Sequence, residues 1–359
     1  MNLRTYNLII LIPLALLLVV FTVLGVIMQP LSGDLTRLGG YTENDFGWTY
    51  PQETFKERLF DTEASSNYKK YYDIVVLGDS FSFYLPKSQW QNYLIQLTGL
   101  KIVGYHLDKL NINEFLSSPA FIKTPPKIII FETVERSFNY RGKQIGLDGD
   151  CKPRFNLNYS QNPISVKAAP YSLQSHSRDT TAGLLHPNIR TAVHYLKRNI
   201  KMIFNKKSIR TYQFPLKQNS FFSNRLSDSL LVYRDDVLKL QKNRETVSRS
   251  LCKILNLQNR IQDNGKTFFI TLLAPDKLTA YSRFLKTDKF INNSWYNQIT
   301  SAQLLNIPPL KIALETAIGN TVKDIYLPDD THWGSAGHKI TAETLNHYLL
   351  ENKIIISNN

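Results

Sequence analysis

The chain has 359 residues, 43% of them hydrophobic, which is ample for one large core or two smaller ones. Two cysteines exclude a disulfide-dense scaffold and show no metal-ligand spacing. The net charge of +14 is unevenly placed: residues 136–260 hold 23 Lys and Arg against 7 Asp and Glu, so the rest is slightly acidic.

Leu8 to Met28 is a run of 21 uncharged, mostly apolar residues, interrupted by Pro13, Thr22 and Gly25. A helix of that length spans a bilayer. The run passes into Gln29-Pro30-Leu31 with no small-residue cleavage site, so it reads as an uncleaved anchor; a cleaved signal peptide is the rival reading. Arg4 and the amino terminus make the leading end weakly positive. Residues 1–28 are therefore expected to be a cytoplasmic tip and a single transmembrane helix in the inner (cytoplasmic) membrane, with the rest periplasmic or extracellular.

Residues 29–70 carry turn formers and aromatics, including Gly39-Gly40 and Phe46-Gly47-Trp48, and form a lead-in without a long period. From Asp73 onward apolar strand candidates alternate with helical stretches, which is the pattern of an α/β domain built on a parallel sheet. The strands are expected at Ile74 to Leu77, Lys101 to Tyr105, Lys127 to Phe131, Lys266 to Leu273 and Val322 to Leu327. Helices are expected after Ser88, stopping at Gly99, over Ser229 to Gln262, over Trp295 to Leu304, and from Gly334-Ser335 onward. Between them, about 140–225 is a basic insertion without clear periodicity. Such a basic stretch suits an acidic polysaccharide, a lipid headgroup layer or a nucleic acid, or else is a solvated surface. Cys151 and Cys252 flank most of it and are expected as free thiols, with a single bridge as the alternative.

Two stretches carry the chemistry. The first strand stops at Gly78-Asp79-Ser80-Phe81-Ser82, where a turn lifts the Ser80 hydroxyl onto the carboxyl edge of the sheet, the edge at which ligands bind. A serine needs a base to take its proton. About 250 residues later comes Pro328-Asp329-Asp330-Thr331-His332-Trp333, the one place where a histidine sits beside carboxylates. On an extended segment Asp330 and His332 project from the same face, so Asp330 is the expected orienting acid, with Asp329 as its alternative. Glu135, Arg136 and Asp276 also fall at strand ends. Arg136 is read either as a group for an anionic substrate or oxyanion, or as half of an ion pair with a glutamate such as Glu135. Asp276 is read as an ordinary loop aspartate. His176, His186 and His194 fit no zinc pattern, and His338 and His347 have no paired carboxylate.

Gly78-Asp79-Ser80-Phe81-Ser82 and Asp330-Thr331-His332-Trp333 resemble the signature blocks of SGNH-type enzymes, in particular the membrane-associated alginate O-acetyltransferase branch. Gly33-Asp34-Leu35-Thr36-Arg37-Leu38-Gly39-Gly40-Tyr41 and Ile130-Phe131-Glu132-Thr133-Val134-Glu135-Arg136 are similar as well; the resemblance covers 33–140 and 264–350 and omits the middle. It implies a three-layer α/β/α, flavodoxin-like catalytic domain over 71–359. It also implies a serine-dependent O-acyltransferase that acetylates an extracellular or cell-wall polysaccharide, with the acetyl donor delivered by a multi-spanning membrane acyltransferase. Gly104 would lend an N–H to the oxyanion, and Glu135 and Arg136 replace the asparagine of the wider superfamily. A carbohydrate esterase using the same triad and a non-catalytic polysaccharide-binding assembly protein are the rival readings. No cofactor, metal or nucleic acid is expected.

Overall fold

The computed structural model describes residues 3–145, 147–153, 163–204, 210–241, 244–292 and 294–357, so the parts of the basic insertion at 154–162 and 205–209 lie outside the described residues. In chain order the helices are α1 (Leu3–Ile27), α2 (Asp34–Gly39), α3 (Glu43–Phe46), α4 (Trp90–Thr98), α5 (Ile112–Ser117), α6 (Pro119–Lys123), α7 (Phe138–Ile145), α8 (Ile189–Phe204), α9 (Arg234–Leu238), α10 (Arg244–Gln262), α11 (Lys277–Tyr281), α12 (Trp295–Ser301), α13 (Leu310–Gly319) and α14 (Ser335–Glu351). The strands are β1 (Gln52–Phe55), β2 (Asp61–Glu63), β3 (Ile74–Gly78), β4 (Ile102–His106), β5 (Ile128–Val134), β6 (Ile164–Val166), β7 (Leu173–His176), β8 (Thr211–Pro215), β9 (Ser229–Tyr233), β10 (Phe268–Ala274) and β11 (Ile355–Ser357).

These elements form two compact units. The smaller comprises Met1–Pro51, Ser177–Arg234 and Leu327–Thr331; the larger comprises Gln52–His176, Asp235–Tyr326 and His332–Asn359. The start of the lead-in thus belongs with the second half of the basic insertion.

The larger unit is built on a parallel five-stranded sheet of order β10-β5-β3-β4-β2. β3, β5 and β10 are buried at every position, which explains their unbroken apolar runs: a parallel strand covered on both faces has no solvent side to mark with polar residues. Val75, Leu77, Ile129, Phe131, Phe269 and Leu273 share one core with Val247, Leu251, Ile254, Leu257 and Ile261 of α10. α4 ends at Gly99, whose φ of 69° suits a left-handed stop. Its N-cap is Gln89 rather than Ser88.

Three expected elements differ. The fifth strand is β2, not Val322 to Leu327. Thr321 and Asp324 take positive φ values of 61° and 53°, which break an extended run, and Tyr326 makes only an isolated bridge to Trp333. β2 is a three-residue charged edge strand, the kind of sequence that hides a strand while blunting an edge. Ser229 to Gln262 is not one helix: β9 pairs antiparallel with β8, and α10 starts only at Arg244. Cys151 and Cys252 are bridged, with Cα atoms 4.9 Å apart, so the free-thiol expectation does not hold.

In the smaller unit Leu35, Phe46 and Leu231 form the core. α1 has an apolar stretch over Thr5–Ile27 that is long enough to cross a membrane and almost entirely exposed.

Candidate active site

The serine turn is fixed from beneath by two buried carboxyls. Asp79, between β3 and a single 3-10 turn over Ser80–Ser82, accepts from the N–H of Phe81 (3.0 Å) and, through its other oxygen, from that of Val134 (3.1 Å). Its own N–H donates to Glu132 Oε2 (2.9 Å), which also accepts from the Ser82 hydroxyl (2.8 Å). Burial, and then the charge of Asp79, raise the Glu132 carboxyl well above the usual range, so it holds its proton at neutral pH. Gly78 makes this packing possible: a Cβ there would lie 2.6 Å from Ser82 Oγ and 3.0 Å from Glu132 Oε2. The expected helix after Ser80 is thus one 3-10 turn, and among the described residues no hydrogen bond engages the Ser80 N–H.

His332 completes the pair. Its Nε2 lies 2.9 Å from Ser80 Oγ, a distance at which the hydroxyl donates to an unprotonated ring nitrogen. The ring stacks on Tyr84, with centroids 4.2 Å apart and planes 12° from parallel, and rests against Phe81. Trp333 packs edge-on to Phe81, and Gly334 donates to the carbonyl of Ile325, so the residues after His332 are held on the body of the larger unit. Ser80 is half-buried and His332 is 8% exposed, so the pair is reachable from solvent.

The two candidate acids lie in the smaller unit, and the chain crosses into the larger one between Thr331 and His332. There the 33–41 motif clamps the acid-bearing segment. Leu35 and Thr36 donate their N–H groups to the Asp329 carbonyl, and Gly33 lies so close that a Cβ would sit 2.1 Å from that oxygen. Asp34 accepts from the N–H and hydroxyl of Thr331 (2.9 and 2.8 Å), and its own N–H donates to Asp330 Oδ2 (3.2 Å). Asp329 is buried and takes the Ser32 hydroxyl (2.8 Å). Burial, and then the neighbouring Glu43 charge, raise the Asp329 carboxyl well above its ordinary value. A carboxyl that keeps its proton is a poor partner for an imidazolium, which leaves Asp330 as the acid.

Gly104 is not at the rim. It sits in mid-β4, in register with Val76 of β3 and Thr62 of β2, four residues below Ser80 along the strand direction. Its missing side chain makes room for the Phe83 ring, which a Cβ would meet at 2.7 Å. That accounts for the glycine without an oxyanion role.

Glu135 and Arg136 belong to a buried ionic cluster. Arg136 pairs with Asp276 (2.7 Å) and Asp236 (3.3 Å). Lys239 pairs with Glu135 (2.8 Å) and Asp276 (2.5 Å), and Glu135 also accepts from the N–H groups of Asp276 and Tyr296. Glu135 and Asp276 are wholly buried, so Glu135 is structural and Asp276 is no ordinary loop residue. Arg136 keeps one link to the site, its guanidinium lying 5.8 Å from the centre of the Phe81 ring.

The remaining histidines stand apart. His176 and His186 are exposed, His194 bonds the Arg37 carbonyl, and His347 lies on the surface near Glu351. His338 is buried against Trp333, its pKa pushed down to about 3 by burial and then by His332. Sequence reasoning missed the Asp79–Glu132 brace, the Tyr84 stack and the clamp on Asp329. Asp79, Glu132 and the 33–41 clamp lay inside quoted motifs, but which backbone groups they serve is a tertiary fact. Scanned against protein-family profiles, curated proteins and solved structures, the chain matches none.

Proposed function

We propose that Ser80, His332 and Asp330 are the triad of an SGNH-like O-acyltransferase, similar to the membrane-associated alginate O-acetyltransferases, with a three-layer α/β/α catalytic domain. One observation carries the reading: a 2.9 Å contact between a sheet-edge serine and an imidazole 252 residues away. Ser80 Oγ attacks the carbonyl of an acetyl donor as its proton passes to His332 Nε2. The oxyanion takes the Ser80 N–H. The donor's leaving group departs with the proton from His332, leaving acetyl-Ser80. His332 then takes the proton of an acceptor hydroxyl, which attacks the acyl carbon, and Ser80 leaves with that proton restored. Asp330, two residues before the imidazole on an extended segment, holds the tautomer whose Nε2 accepts.

The acceptor is read as a hydroxyl of an extracellular or cell-wall polysaccharide, and the donor as acetyl groups carried across the bilayer by a multi-spanning partner. The apolar α1 supports anchoring as a single-pass protein of the inner membrane with both units outside, and the Cys151–Cys252 bridge fits an oxidising compartment. The test is to incubate the full-length chain in detergent with an activated acetyl ester and acidic oligosaccharides. Acetylated sugar is expected; free acetate alone at every acceptor concentration overturns transfer in favour of an esterase. A serine-reactive phosphonate should label Ser80 in the same preparation, and no labelling would leave a non-catalytic binding protein.

A further inference from the structure

An amphipathic helix on a water-soluble body turns its apolar side inward. α8 does the reverse. Its inward side is polar: His194 bonds the Arg37 carbonyl at 2.8 Å, Arg198 donates to the Leu38 carbonyl, and Asn199 Nδ2 donates to the Gly40 carbonyl at 3.1 Å. Its outward side carries Ile189, Val193, Ile200, Ile203 and Phe204, which are 42–84% exposed and share one face at 3.6 residues per turn. Arg190, Lys197 and Lys201 run along one edge of that face. Just before the helix, Leu184 and Leu185 stand 83% and 90% exposed between Gly183 and His186, which pair across the turn.

The position of α8 says what covers this face. Asn188 donates its N–H to the Gly25 carbonyl (2.6 Å) and its side-chain amide to the Met28 carbonyl (2.8 Å). Gly25 lets α8 come close, since a Cβ there would lie 3.1 Å from Ile189 N. The first turn of α8 is therefore bonded to the last turn of α1, where the apolar span ends. An exposed apolar face with a basic edge, fixed at the level where a membrane helix leaves the lipid, has the chemistry of an interfacial helix.

We propose that α8 and the Leu184-Leu185 turn lie in the plane of the bilayer at the leaflet where α1 emerges. Their apolar side chains enter the headgroup–acyl boundary, and Arg190, Lys197 and Lys201 face anionic lipid phosphates. The smaller unit is thus held against the membrane by a surface as well as by a tether. This rests on α1 being an anchor, and the experiment separates the two.

All described cysteines are bridged, so a single introduced cysteine is the only free thiol. Full-length protein carrying Leu16→Cys, Leu185→Cys, Ile200→Cys or Gln218→Cys is spin-labelled and reconstituted in vesicles of zwitterionic and anionic phospholipid. Collisional relaxation is measured with oxygen, which partitions into lipid, and with a nickel chelate present on both sides of the membrane. The oxygen-to-nickel ratio at 185 and 200 is expected to exceed that at 218 by about fivefold or more and to approach that at 16. Position 200 as open to nickel as 218, with 16 in lipid, overturns the in-plane element alone. Position 16 open to nickel overturns the anchor and the inference with it. Position 200 shielded from both reagents means that protein covers this face and rejects lipid as its occupant.

Discussion

Two places on one sheet carry charge at the carboxyl ends of their strands, and they are opposites. At the end of β3 the buried carboxyls of Asp79 and Glu132 hold a turn whose serine is half-buried and bonded through Oγ to His332. At the ends of β5 and β10, Glu135, Arg136 and Asp276 turn toward one another and toward Asp236 and Lys239. The first arrangement spends its buried charge on positioning an accessible hydroxyl; the second closes on itself. Charge at a sheet edge therefore does not mark a site. What marks it is an accessible nucleophile with a base in reach.

The largest expected effect breaks this contrast directly. Ser80→Ala or His332→Ala should lower acetyl turnover by about 10³-fold or more, because the members of such a pair act as a unit. The thermal midpoint should stay within a few degrees, since neither change opens a core cavity. If both variants keep near-normal turnover in the ester assay, the β3 end is no more a site than the β5 end.

The acids sharpen it next. Asp330→Asn should reduce turnover by about 10²-fold or more, because the amide favours the wrong imidazole tautomer. Asp329→Asn should stay within about threefold, because that carboxyl already sits protonated beside Ser32 and Glu43. The reverse order of effects in the same assay would reassign the acid.

At the closed cluster the effect should fall on stability instead. Lys239→Met leaves Glu135 and Asp276 without their ammonium partner in a dry environment and should cost about 3–5 kcal/mol in urea unfolding. Turnover per folded molecule should change by less than about fivefold, as no member of the pair bonds Ser80 or His332 through a printed contact.

How much of this was legible in the sequence follows from which signals are local. β3, β5 and β10 were readable because burial on both faces leaves unbroken β-branched runs, and Ser80 and His332 because each sits in a motif at a strand or helix boundary. β2 was not, since a charged three-residue edge strand looks like a loop, and 322–327 misled because its apolar residues hide two left-handed turns. Gly104 was misplaced because strand register against β2 and β3 is set by pairing, not by its neighbours in sequence. The Cys151–Cys252 bridge depends on where α10 begins, which the apolar β9 run obscured.

A fourth outcome compares two histidines of the same region. His338 is buried and its pKa falls from the ordinary 6.5 to about 3. Between those values the unfolded chain binds a proton that the native ring refuses, so stability is lost as pH falls from about 6.5 toward 3. His338→Leu should flatten that acid limb in a series of thermal midpoints, whereas His332→Ala should leave most of it in place.

The smallest effect tests the brace itself and runs the other way with pH. Burial holds the Glu132 carboxyl well above its ordinary 4.5. As pH rises past 4.5 the unfolded chain releases a proton that the native carboxyl retains, so this group makes the fold less stable with rising pH until its own folded pKa is passed. Glu132→Gln is neutral throughout, and its amide oxygen can accept from the Asp79 N–H and Ser82 hydroxyl as the acid does. The variant should match the parent in turnover near pH 7 and exceed it in thermal midpoint only on the alkaline side, by about 1 kcal/mol. Equal alkaline limbs in the two proteins would mean that Glu132 ionises normally and that Asp79 alone holds the serine turn.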